Sequence, residues 1–126
     1  HAPDADGGVI ALDERQMYRQ GCRYEDLVAA SDVVVTKPGY GIIAESIANH
    51  AAILYTSRGR FVEYEVLVRE MPRYTRCAFI GREDLFAGNW ETCLERLLAQ
   101  PAPPERPAVN GAEVAASMIL EWLERR

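Results

Sequence analysis

One segment limits the fold more than any other. Asp32-Val33-Val34-Val35-Thr36 is β-branched and lacks polar alternation, the pattern of a strand covered on both faces. It runs into Lys37-Pro38-Gly39-Tyr40-Gly41. From there Ile42 to Asn49 reads as a helix, with Ile43, Ile47 and Ala48 on one face. Ala52-Ile53-Leu54-Tyr55 supplies the next strand. Phe61 to Glu70 reads as a helix carrying Val62, Val66 and Leu67, ended by Pro72, whose ring removes a donor and clashes with the preceding turn. Thr75 to Ile80 reads as a further strand. Strands and helices alternating at this spacing predict an α/β fold, a parallel sheet flanked by helices with right-handed crossovers.

The flanks add helices. Val9 to Leu12 reads as a strand and Tyr24 to Ala30 as a short helix. Asn89 is placed to cap a helix whose apolar face is Trp90, Leu94, Leu97 and Leu98. Four prolines between residues 101 and 109 make a stiff connector. Asn110 and Glu113 have the spacing of an N-cap pair. The helix that follows carries Val114, Met118, Ile119, Trp122 and Leu123 on one stripe. The 126 residues allow one domain, with residues 1–8 as a flexible Gly-containing leader.

Charge narrows the function. The chain has 14 basic against 19 acidic residues, a net charge of −5, and its only lysine is Lys37. Without a basic cluster, non-specific nucleic-acid binding is disfavoured. No apolar run approaches the roughly 20 residues of a membrane span, and no signal-peptide pattern opens the chain. Cys22, Cys77 and Cys93 form no CxxC or zinc pattern, which fits reduced thiols and a cytoplasmic setting. Asp4-Ala5-Asp6 matches a two-aspartate metal pattern only by chance, so no metal is expected. His50 follows a helix and is expected to face solvent. No Ser/His/Asp or Cys/His arrangement is legible, so no catalytic residue is assigned.

The chemistry gathers at the glycine loop. Gly39 and Gly41 can take positive φ and let a ligand approach the backbone. The amides of Gly41, Ile42 and Ile43 have no intrahelical acceptor, and the helix dipole adds about half a positive charge there. This is a site for a phosphate or diphosphate, at the carboxyl end of a strand where open α/β sheets bind ligands. Glu45 lies four residues past Gly41 and tilts back toward the same ligand. It either accepts hydrogen bonds from ribose hydroxyls or only complements the dipole. Pro38 holds Lys37 extended beside the loop. Arg58 and Arg60, in the turn after the next strand, either grip a diphosphate or remain surface charges. Glu63 faces a sugar hydroxyl or pairs with Arg60.

Thr36-Lys37-Pro38-Gly39-Tyr40-Gly41-Ile42-Ile43-Ala44-Glu45-Ser46 resembles the donor-binding segment of GT-B glycosyltransferases of the MurG type. It is closer still to the glycosyltransferase-like region of arabinokinase-type proteins. The similarity runs from about Tyr24 through the Arg58 to Leu67 segment, and more loosely to the last helix. The resemblance implies a Rossmann-like nucleotide-sugar-binding half, here partial. It implies diphosphate contacts from Gly39, Tyr40, Gly41 and Ile42, ribose contacts from Glu45, and sugar contacts from Arg60, Glu63 and Tyr64. The implied substrate is a UDP-sugar, with no cofactor. The sugar segment departs from the type, reading Glu63-Tyr64 where MurG-type enzymes carry amides or an Asp-Gln pair. The opening strand and Gly-Ser-rich loop of such a half are absent, as is the N-terminal half that holds the general base and acceptor site. With no initiator Met, the chain is expected to be an inactive piece of a longer protein, whose exposed apolar sheet edge a second copy can cover as a homodimer.

Two rival readings stand beside this one. Gly39-Tyr40-Gly41-Ile42-Ile43-Ala44 matches the G-x-G-x-x-A of an NADP-type dinucleotide domain, with Arg58 on a 2′-phosphate. The acid expected about 20 residues on is missing near Tyr55 and Thr56. The other rival is a non-catalytic ligand-sensing or assembly module.

Overall fold

A computed structural model describes residues 8–126. Most of the expected leader, and Asp4-Ala5-Asp6 within it, lies outside the described residues. The chain begins with α1 (Glu14–Arg19) and α2 (Tyr24–Ala29), then β1 (Val33–Thr36), α3 (Tyr40–Ala48), β2 (Ala52–Tyr55) and α4 (Tyr64–Glu70). A 3-10 turn (Met71–Arg73) leads to β3 (Cys77–Phe79), α5 (Arg82–Ala87), α6 (Glu91–Leu98) and α7 (Gly111–Glu124). The strands form one parallel sheet in the order β1-β2-β3, with Val33 opposite Ala52 and Ile53 opposite Cys77. The expected α/β class, a parallel sheet flanked by helices, is the observed one.

β2 is the middle of the molecule. It is hydrogen-bonded on both edges, and Ala52, Ile53 and Leu54 are buried. Successive side chains of a strand point to opposite faces. Ala52 and Leu54 therefore pack with Ile80 and with Leu97 of α6, while Ile53 packs with Ile43 of α3 and with Met71. Helices cover both faces, so the two small cores share one strand.

The edges behave differently. The sequence pattern predicts a β1 covered on both faces, but Val33 and Val34 are only half-buried and Val35 is exposed. The reason is position: β1 is an outer strand, and its β-branched run meets a neighbour on one side only. At the other edge, the Gln100 amide acts as a surrogate strand. Its Nε2 donates to the Cys77 carbonyl at 2.9 Å, and the Cys77 N–H donates to its Oε1 at 3.1 Å. Burial pushes the Cys77 thiol up to about 11. Cys22, Cys77 and Cys93 are all unpaired.

Several local expectations need correction. Val9 to Leu12 is an exposed irregular segment, and the nearby element is α1, capped by Asp13, whose carboxylate accepts from the Arg15 and Gln16 amides at 2.8 and 3.1 Å. α4 starts at Tyr64 rather than Phe61, which leaves Val62 in a turn and 96% exposed. Its inward residues are Leu67 and Val68. Pro72 ends α4 as expected, but from inside the 3-10 turn that follows. Asn89 does not cap α6, because its side-chain amide donates to Asp84 instead. Asn110 precedes α7 without a side-chain cap bond. The α7 stripe is regular but bare: every residue of the helix is exposed.

Leu54 is the most direct test of this core. Leu54→Ala is expected to cost roughly 2–5 kcal/mol, the range for a leucine truncated where neighbours cannot collapse. Urea denaturation of the two proteins measures it.

Candidate functional site

Parallel strands bring their carboxyl ends to one edge of the sheet. β1 leaves that edge through Lys37, Pro38 and Gly39, and β2 through Thr56 to Arg60. The Thr56 amide donates to the Thr36 carbonyl at 3.1 Å, so the two loops start side by side. Lys37 is exposed, Pro38 and Gly39 are buried, and Tyr40 is 60% exposed.

α3 begins earlier than the sequence pattern predicts. Gly39 is its N-cap, in extended backbone (φ −162), and makes no side-chain cap bond. The Ile43 amide donates to the Gly39 carbonyl at 3.1 Å. The amides left for a ligand are therefore those of Tyr40, Gly41 and Ile42, not Gly41, Ile42 and Ile43. Neither loop glycine uses positive φ. A Cβ at Gly39 would stand 2.6 Å from Arg58 Nη1, so a larger residue there makes the end of that flexible side chain shift. A Cβ on Gly41 would meet nothing within 4 Å, which leaves open space over the first turn.

Glu45 shares that face. It is four residues from Gly41, and residues so spaced are neighbours on a helix surface. It lies five residues from Tyr40, the first residue of α3, or about 7.5 Å along the axis, somewhat deeper than expected. It is half-buried, and its carboxylate has no hydrogen bond or ion pair among the described residues. A long side chain leaning back toward the helix start spans much of that distance.

Arg58 joins the two loops. Its Nη1 donates to the Pro38 carbonyl at 2.7 Å, and its guanidinium lies 4.3 Å from the centre of the Phe61 ring. The turn that places it needs Gly59, whose φ of +74 is a region that side chains disfavour. Arg58 keeps further N–H donors for an anion. Arg60 and Glu63 are exposed and do not pair with each other, while Tyr64 is half-buried at the start of α4.

Sequence reasoning missed Thr56. It is 4% exposed, and its hydroxyl has no hydrogen-bond partner among the described residues. A buried hydroxyl without a partner is unusual and asks for an explanation. The signal was there, a threonine immediately after an apolar strand at its ligand-binding end. Burial, then smaller effects of Cys77 and Tyr64, raises the Tyr55 phenol above its ordinary value. Among the described residues no group of three His, Cys, Asp or Glu side chains is placed to hold a metal, and no helix is long and apolar enough to cross a membrane.

The chain is 33% identical over 97 residues to L-arabinokinase from Arabidopsis thaliana. The match covers 76% of this chain but only 9% of that protein, a distant relationship to a small part of a much longer chain. No protein-family profile matches the chain. No solved structure matches it either.

The Arg58 bridge makes a sharp test. Gly39→Ala pushes the guanidinium off the Pro38 carbonyl, and Arg58→Ala removes it. Each is expected to cost on the order of 1 kcal/mol, one hydrogen bond. The double variant should lose little more than either single one, since both break the same contact. Fully additive losses in urea denaturation would show that the two residues act separately.

Proposed function

We propose that this chain is the nucleotide-sugar-binding part of a glycosyltransferase-like protein, with a UDP-sugar as its substrate. One observation carries the reading: the uncapped start of α3, open at Gly41, with the unpartnered Glu45 carboxylate on the same face. The diphosphate lies on the Tyr40, Gly41 and Ile42 amides, against Gly39 and Pro38. Lys37, Arg58 and Arg60 face it from the two loops. Glu45 accepts hydrogen bonds from the ribose hydroxyls, and Glu63 and Tyr64 border the sugar. The distant relative's name, a sugar kinase, fits a sugar-related setting.

The chemistry is displacement at the anomeric carbon with UDP leaving. Negative charge grows on the leaving diphosphate. Fixed amides and guanidinium groups aimed at that charge stabilise the transition state more than the ground state. No metal is needed for this role. None of these residues is assigned as a general base, so the chain alone is expected to bind the donor weakly and to transfer nothing.

A calorimetric panel of UDP, UDP-sugars, dTDP, GDP and NADPH tests the reading. UDP compounds are expected to bind, and Glu45→Ala to weaken them by about tenfold, the loss of charge-assisted bonds to ribose. Unchanged UDP affinity in that variant would remove Glu45 from the ribose. Binding of NADPH alone would favour the dinucleotide rival instead.

A homodimer of the isolated chain belongs to the same reading. Among the described residues β1 leaves one edge of peptide groups unpaired, and such edges recruit a further strand. Separately, bare α7 exposes apolar surface, with Met118 66% exposed. Sedimentation is expected to give a dimer, and a monomer at high concentration would contradict it.

A further inference from the structure

The nucleotide reading leaves the opposite end of the sheet unused, and a cavity of about 390 Å³ lies there. That volume falls in the roughly 300–1,000 Å³ range of small-molecule sites. The cavity opens between the end of α3, the lead into β3 and the proline connector. It is about 13 Å from the glycine loop along the nine residues of α3.

The connector is pinned in place as its roof. The Glu105 amide donates to the Arg73 carbonyl at 3.0 Å, and Arg73 Nε donates to the Glu105 carboxylate at 2.8 Å. Arg73 also binds Glu70, so the nearby acids are already neutralised. The hydrogen bonds from Arg73, then Arg69, hold the Glu70 carboxyl below its ordinary value. Within the cavity itself the lining residues include two guanidinium groups, Arg76 and Arg106, and the imidazole of His50, with no acid among them. Arg76 spends one N–H on the Leu98 carbonyl at 3.2 Å. The Arg106 guanidinium and the His50 imidazole make no hydrogen bond or ion pair among the described residues.

His50 carries a second signal. Its φ is +60, and it is the one residue other than glycine with positive φ among the described residues. The position after a helix in this conformation ordinarily holds glycine or asparagine. A histidine there sets an imidazole at the cavity wall. Strained backbone that presents a side chain to a cavity points toward binding. Tyr74, Pro103 and Pro107 give the remaining wall an apolar character.

We infer that this cavity binds a small phosphate monoester, its phosphate held by His50, Arg76 and Arg106 and its organic part lying on Tyr74 and the connector prolines. Two guanidinium groups with no acid among the lining residues suit a dianion, whose oxygens they grip in pairs, and the imidazole adds a further hydrogen-bonding group. The site is separate from the glycine loop, so either can fail without the other.

Inorganic phosphate is the probe. It is titrated into the labelled protein while amide and arginine side-chain resonances are followed, with chloride at matched ionic strength as control. Saturable shifts at His50, Arg76 and Arg106 are expected. His50→Asn keeps a residue that accepts the left-handed backbone, and Arg106→Gln removes a side chain with no partner among the described residues. Circular dichroism checks that both variants fold. Each should bind phosphate about tenfold more weakly, the effect of one lost charge-assisted bond. Wild-type affinity in both variants, no saturable shift, or shifts confined to Tyr40, Gly41 and Ile42 would overturn the proposal.

Discussion

Everything in this chain depends on the burial of β2 between two parallel neighbours. Four residues, Ala52 to Tyr55, give hydrogen bonds to both sides and side chains to both faces. Because the neighbours are parallel, each connection must cross the sheet from one end to the other. That crossing places α3 and α4 after their strands and sends all three strands toward the same edge with their carbonyl ends. The edge is then the one place where two loops and a helix start converge. Open α/β sheets generally bind their ligands at such an edge, which is why the proposed anion site is sought there.

The side chains then make the edge specific. α3 starts on a glycine that offers no capping oxygen, so its first amides stay available. Arg58 passes close over Gly39 to the Pro38 carbonyl. The same contact ties the β1 and β2 loops into one surface. Gly41 leaves room above Glu45, and Glu45 is left without a partner among the described residues. Thr56 adds a buried hydroxyl with an unmet hydrogen bond at the same edge. Positive backbone dipole, guanidinium and free carboxylate within one patch suit a ligand that carries both phosphate and hydroxyls.

The strands and the glycine loop were legible because apolar runs and glycines act locally. β2 and α3 came out nearly in place from composition and spacing alone. The sheet position of β1 was not legible, since Val33 to Thr36 looks the same whether one edge is paired or two. The turn around Val62 reads as helix because Val62, Val66 and Leu67 have the spacing of a helical stripe. Asp13 as an N-cap could have been read, but the apolar residues before it suggested a strand. The Arg58 to Pro38 contact spans 20 residues, and no local pattern reports it. The unpaired state of Glu45 is also a tertiary fact. The cavity under the connector needed the ion pair between Arg73 and Glu105, 32 residues apart.

Hydrogen exchange at the start of α3 tests the central claim most directly. The Tyr40, Gly41 and Ile42 amides have no acceptor within the helix, so they should exchange fast in the free protein. Saturating UDP should slow exchange at these three amides while those of β2 stay as protected as before. UDP binding that leaves Tyr40, Gly41 and Ile42 exchanging at their free rates would contradict the account.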